Sequence, residues 1–226
     1  MSDFMRSIPI TPDMVSLWVP SGLKRARDLI RGNHGQCYGT HPNVPVLPNV
    51  INPSVGWHFD GTNDYIQLQS PIVGIDPFSV FAWVNLPEIP ASVDEMIVAN
   101  YNGAYKGFKF FIHTGGAVFF QVGRLSDTST QWVASTGTLS PSTWRFVGGI
   151  YDGIKPIAVL DGELKEGTNF SPIEAETTYI RIGKACWEET FFDGYIALPF
   201  ITNSAWSAAQ VSNFYNATKG MFAPRG

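Results

Sequence analysis

Charge is what this sequence has least of. Only 15% of its 226 residues are Asp, Glu, Lys or Arg, against roughly 25% in an average soluble protein. Its net charge of −4 and pI near 5.5 leave no basic excess to hold a nucleic acid by counterion release, and none is expected as a partner. No apolar run approaches the roughly 20 residues of a membrane helix, so no membrane insertion is expected. The first residues, MSDFMRSIPITPD, lack the basic start and the apolar stretch of about 7 to 15 residues of a secretory signal. The chain is therefore expected to stay in the cytosol where it is made, or to leave it by a route such as lysis. Cysteine is scarce: Cys37 and Cys186 could form one disulfide or stay as two thiols, the state favoured in a reducing compartment. Repeats of 20 to 50 residues and low-complexity blocks are absent, as is helical periodicity until the end of the chain.

What the sequence has is apolar and aromatic bulk: 44% apolar residues, with 7 Trp, 8 Tyr and 16 Phe. That composition excludes disorder, and a chain of this length buries roughly 70% of its unfolded surface. Short apolar stretches alternate with Gly, Pro, Asn and Asp at intervals of roughly 8 to 14 residues, the pattern of a sandwich or barrel. Strands are expected at Val15–Val19, Val55–Phe59, Asp64–Leu68, Ser79–Leu86, Met96–Asn100, Phe108–His113, Ala117–Val122 and Gln131–Ser135. Four more are expected at Trp144–Tyr151, Ile157–Leu160, Tyr179–Ile182 and Gly194–Ile201. In FSVFAWVNL, alternation puts Phe78, Val80, Ala82 and Val84 on one face and Ser79, Phe81 and Trp83 on the other. A strand apolar on both faces belongs inside the stack. Gly115-Gly116 between KFFIH and AVFFQ is the clearest hairpin turn.

One helix is expected near the C-terminus. Ser207 can cap it, Ala208, Val211, Phe214 and Tyr215 form its apolar stripe, and Gly220 can end it. The basic run Lys24–Arg31 reads as a solvated loop or turn, with a phosphate or acidic-surface contact as the functional alternative. The proline-rich stretch Thr40–Pro53 reads as an extended connector within one domain. The chain thus divides into an N-terminal arm (1–13), one domain (14–220) and a short tail (221–226).

Several segments, in order, resemble the laminin-G-like domains of the concanavalin A-like superfamily. They are RGNHGQCYG (31–39), WHFDGTNDYIQL (57–68), DPFSVFAWVN (76–85), TWRFVGGIYDG (143–153), AVLDGEL (158–164), IRIGKA (180–185) and FFDGYIALPFITNSAWSAAQV (191–211). The resemblance implies an all-β, two-sheet antiparallel jelly-roll sandwich with one short C-terminal helix. Phe59, Tyr65, Trp83, Trp144, Phe146 and Tyr151 are then expected in its inner core. Domains similar to this one bind sugars, bind proteins, hold calcium or serve as structural modules, so function must come from a site.

The chemistry-bearing residues argue against catalysis. Enzymes of the superfamily typically carry acids at alternate positions of one strand, and no such strand occurs here. Asp94-Glu95 and Glu188-Glu189 are adjacent pairs that point to opposite faces, and Glu174 and Glu176 lie in a polar, Pro-flanked loop. The histidines His34, His41, His58 and His113 lack a nucleophilic Ser or Cys partner in any known motif. No cofactor is expected, although Asp60, Asn63 and Asp64 could offer calcium hard oxygen ligands; all three also suit turns. Where related chains often have Ile-Asp-Glu-Val in the closing strand, this one has Ile196-Ala197-Leu198-Pro199, which suggests a covered face. Exposed aromatics beside polar groups would suit sugar binding, and Tyr101, Tyr105, Trp132 and Trp187 are the candidates for contact with a glycan or partner.

These readings converge on a non-enzymatic structural or adhesion module. Low charge suits burial against neighbouring copies, and a virion, that of a bacteriophage, would carry a cytosolic product outside by lysis. The first expectation is therefore a virion surface component such as a decoration, fibre or capsid-associated protein, with virion proteins and copies of itself as partners. The alternative is a carbohydrate-binding module for cell-surface glycans, with a glycoside hydrolase as a remote third.

Overall fold

The computed structural model describes residues 8–20, 25–39, 56–68, 77–102, 106–124, 128–174, 176 and 179–222. Among them run β1 (Met14–Pro20), β2 (Arg25–Asp28), β3 (Gly35–Tyr38), β4 (Gly56–Asp60), β5 (Tyr65–Leu68), β6 (Phe78–Asn85), β7 (Glu95–Asn102) and β8 (Lys106–Ile112). There follow β9 (Ala117–Arg124), β10 (Ser129–Thr138), β11 (Arg145–Tyr151), β12 (Pro156–Leu160), β13 (Glu163–Glu166), β14 (Ile180–Ile182), β15 (Asp193–Thr202) and the helix α1 (Ala208–Thr218).

Every strand pairing is antiparallel. The first sheet runs β15-β6-β11-β12-β13, with β4 and the start of β1 on the other edge of β15. The second runs β1-β2-β3-β5-β14-β7-β8-β9-β10. The strand β1 belongs to both: Met14, Ser16 and Leu17 pair with β15, and Trp18 to Pro20 pair with β2.

Two cores result. Between the sheets, Phe59, Phe78, Val80, Val84, Phe108, Phe120, Tyr151 and Ile182 are buried together. Outside the first sheet, Phe81, Trp83, Phe146 and Phe200 pack against Trp206, Val211, Phe214 and Phe222. The alternation expected for β6 is what the structure has, because each of its faces meets a different core. Of the six aromatics expected between the sheets, Phe59 and Tyr151 are there. Trp83 and Phe146 lie under α1 instead, Trp144 rests on Phe222 with ring centroids 4.9 Å apart, and Tyr65 stacks on Tyr38 at 4.7 Å.

The apolar closing strand is covered from within the chain. A bulge between Ala197 and Phe200, where Leu198 takes φ +46°, turns Ala197, Leu198 and Phe200 to the helix side. Ser207 caps α1 and Gln210 returns the bond to the cap, the reciprocal arrangement of a capping box. The backbone does not stop at Gly220 but continues as a 3-10 turn, Lys219–Met221, and Ala208 is exposed. Ile8 is buried in the helix-side core, and the carboxylate of Asp13 accepts hydrogen bonds from Ser204 and from the Trp206 indole.

Part of the basic run read as a loop is strand β2. Asp28 at its end is buried and accepts from the backbone N–H groups of Leu17 (3.2 Å), Ile30 (2.9 Å), Arg31 (3.2 Å) and Asn33 (2.9 Å) and from the Ser16 hydroxyl (3.0 Å). Its own N–H donates to His34 Nδ1 at 3.1 Å. Lys24, the Thr40–Pro53 stretch and the ends of the chain at 1–7 and 223–226 lie outside the described residues.

Candidate functional site

With α1 on the outer face of the first sheet, the outer face of the second sheet carries no helix among the described residues. Side chains alternate across a strand and neighbours in register share a face. The register therefore lines up one row over eight strands: Trp132, Gln121, Lys109, Ala99, Arg181, Gln67, Gln36 and Arg25. Their in-strand neighbours Val133, Val122, Phe108, Phe110, Ile182, Ile66 and Cys37 point inward.

Aromatic rings flank the row. Trp132, 53% exposed, lies on Phe119 at 5.1 Å, and Phe119 contacts Phe111 at 5.6 Å and His113 at 4.8 Å. His113 Nδ1 is 2.6 Å from Asp94. After β14 the chain folds back so that Ala185 is buried against Met96, Ala99 and Phe111, and the Cys186 thiol donates to the carbonyl of Ala99 at 3.2 Å. This turn raises Trp187, 52% exposed, beside Tyr101 at 6.4 Å. Lys109 extends over Tyr101 and Phe111, its ammonium 5.4 and 5.2 Å from their centroids. Arg181 donates to Gln67 (3.2 Å) and to the carbonyls of Ala185 (3.1 Å) and Cys186 (2.9 Å), between the rings of Tyr65 and Tyr179.

Of the four aromatics singled out in the sequence, Trp132 and Trp187 present exposed rings on this face. Trp132 stands on β10, and Trp187 rises from the turn after β14 beside Tyr101 of β7, three strands from β10. Tyr101 is only 4% exposed, so its ring supports Trp187 and Lys109 from below. Tyr105 lies outside the described residues. The sequence reading missed Phe119, Lys109, Gln121, Arg181 and Gln67. The alternation of polar and apolar residues in KGFKFFI and AVFFQVGR carries part of that signal.

The carboxylates gather elsewhere. Glu95 opens β7 in register with the inward-facing Ile112 and is 8% exposed. Its Oε2 accepts the Asp193 backbone N–H at 3.4 Å. Burial, with Asp193 and Glu88 nearby, pushes the Glu95 carboxyl up to about 8, and burial raises Asp193 as well. Glu95 thus points between the sheets, whereas the partly exposed Asp193 reaches it only through its backbone N–H. Asp60 Oδ1 accepts the N–H groups of Thr62, Asn63 and Asp64, the bonding of a turn former. Among the described residues no three His, Cys, Asp or Glu side chains converge as a metal site. Cys37 faces the inter-sheet core, where burial lifts its thiol to about 12, and Cys186 lies on the opposite face of the same sheet, so both are free thiols. No helix among the described residues is long and apolar enough to cross a membrane.

A two-sheet antiparallel sandwich with one short C-terminal helix defines a lectin-like β-sandwich domain. Residues 60–212 match the family model described as the concanavalin A-like lectin/glucanases superfamily, and the chain belongs to that superfamily. Its fold is similar to the ligand-binding domain of botulinum neurotoxin serotype D solved with N-acetylneuraminic acid (TM-score 0.68, 14% identity, 90% of this chain and 50% of that one). It is also similar to the binding domain of Paraclostridial Mosquitocidal Protein 1 (TM-score 0.70, 12% identity, 91% and 52%). A third is the binding domain of botulinum neurotoxin DC in complex with SialylT (TM-score 0.65, 12% identity, 92% and 52%). The chain spans about half the length of these proteins. No curated protein sequence matches it.

Proposed function

We propose that the protein is a non-catalytic carbohydrate-binding module whose ligand lies across the outer face of the second sheet. The observation that carries this reading is the pair of half-exposed rings, Trp132 and Trp187, standing on the same face as a row of amide and cationic side chains. A sugar ring offers apolar C–H faces to an aromatic platform and hydroxyls to amides, so both kinds of group are needed at once. The glycan ligands named for two of the similar structures agree with it. Each chain is only half matched, however, so the argument rests on this chain's own surface. Hydrolysis would need two carboxylates flanking the bound bond, and the buried Glu95 points between the sheets, off the proposed ligand face.

Titration of tryptophan fluorescence against a glycan array's strongest ligands tests the reading. Trp132→Ala and Trp187→Ala are each expected to weaken binding at least tenfold with little change in Tm. Unchanged binding by both variants rejects it. For location, we propose a virion surface on composition alone, since the apolar closing strand that favoured it is covered by α1. Loss of the protein from particles on deleting residues 1–7, which spares the buried Ile8 and the Asp13 carboxylate, is the expected outcome, and its absence from particles altogether rejects that proposal.

A further inference from the structure

The row across the second sheet has a charge character that the composition hides. In a chain of net charge −4, the eight positions from Trp132 to Arg25 include three cations and three glutamines and no carboxylate. Arg27, on the same face as Arg25, is exposed as well. Several acids around the row are engaged or withdrawn: Glu189 is held by Lys184 at 2.8 Å, Glu174 faces Lys106 at 3.7 Å, Asp94 lies 2.6 Å from His113, and Glu176 is buried, while Glu188 adjoins Trp187. Arg181 is bound to Gln67 and two carbonyls. Lys109 differs from it. Its ammonium lies over two rings, and no carboxylate among the described residues pairs with it. It is half-buried on β8, two strands from Trp132 and one from the strand of Tyr101, against which Trp187 stands.

A lysine held in this way is a compact point charge with three donors. Partial burial beside apolar rings strengthens its attraction for an anion relative to an exposed lysine. The cations also recur along the row, with Arg181 two strands from Lys109 (~10 Å) and Arg25 three strands further (~14 Å), at the usual spacing.

We infer that the ligand is an acidic oligosaccharide, laid over β10, β9 and β8 up to the turn that covers Ala99, with Lys109 as the group that binds its anionic substituent. The inference rests on the carbohydrate-binding reading and narrows it from sugars in general to sugars carrying carboxylate or sulfate. The glutamines and tryptophans read the sugar, and the lysine reads the charge.

The test compares matched pairs by calorimetry on the full chain. Uronate and sialate tetramers are each titrated beside their methyl esters, and a sulfated galactan tetramer beside its desulfated form. At low salt at least one acidic member is expected to bind tenfold or more tighter than its neutral twin, and the gap is expected to narrow at 0.3 M salt. Lys109→Met, which keeps the stem over the rings, is expected to bring that member down to its twin and leave the twin unchanged. Lys109→Arg is expected to retain the preference. The pair that shows the gap identifies the anion as carboxylate or sulfate. Equal binding within every pair, or an equal loss of both members in Lys109→Met, overturns the inference while leaving carbohydrate binding in force. If no member of any pair binds, both fall. A single-stranded DNA oligomer that binds more tightly than every acidic glycan also overturns it.

Discussion

Glu95 is a carboxyl that the fold keeps between its sheets, with one backbone N–H from Asp193 for company. Burial raises it from its ordinary 4.5 to about 8. The folded chain therefore holds a proton that the unfolded chain has released above pH 4.5. The sign follows from linkage: this group favours folding fully below pH 4.5, loses that contribution as pH rises through the window to about 8, and is flat above. Asp193 is raised by burial and pulls in the same direction. Glu95→Gln keeps the shape and removes the charge. It is expected to raise Tm at pH 8.5, by an amount on the order of 1–3 kcal/mol in stability, and to leave Tm near pH 4.5 almost unchanged. A thermal melt series from pH 4.5 to 9 reads this directly, and an equally steep decline in the variant would show that other groups set it.

Among the elements, α1 carries more than its eleven residues suggest. Phe214 touches Phe146 at 5.6 Å, Phe200 at 4.6 Å and Trp206 at 5.6 Å, and the Trp83 indole donates to Thr218 at 3.1 Å. Phe214→Ala is expected to cost about 3–5 kcal/mol, as for other buried aromatics cut to Ala, measured as a lower urea midpoint at unchanged slope. Elements like this were readable in the sequence because their pattern is local: Ser207 three residues before Gln210, then Val211 and Phe214 on one side. β6 was readable for the same reason. β2 was not, because Arg25 and Arg27 hide a strand whose hold is Asp28, and the five donors on that carboxylate come from both sides of it in the chain. β13 is polar at nearly every position and enters the sheet only through its partner β12. The candidate face was half legible for a related reason. Single aromatics such as Trp132 stand out in a sequence, whereas a row drawn from eight strands exists only once their register is known.

For the whole molecule the critical dimension is the gap between the sheets. Gly148 and Gly149 sit back to back in β11, one under Phe81 on the helix side and the other against Phe120 of β9 in the central core. A Cβ at Gly149 would come within 2.1 Å of the Phe120 ring. Gly149→Ala is thus expected to force that ring or the second sheet outward at about 1–3 kcal/mol, seen as a lower Tm. A loss of glycan binding beyond the loss of fold would mean that the spacing of the sheets also sets the flatness of the outer row. The same joining of the sheets has a mechanical side. Because β1 is bonded to β15 at one end and β2 at the other, tension entering at the N-terminal end reaches both sheets through a single seven-residue strand. A tethered module built this way would yield to pulling in one step, at the strand nearest the tether, whereas a load on the outer face of the second sheet would be shared among the strands paired beneath it.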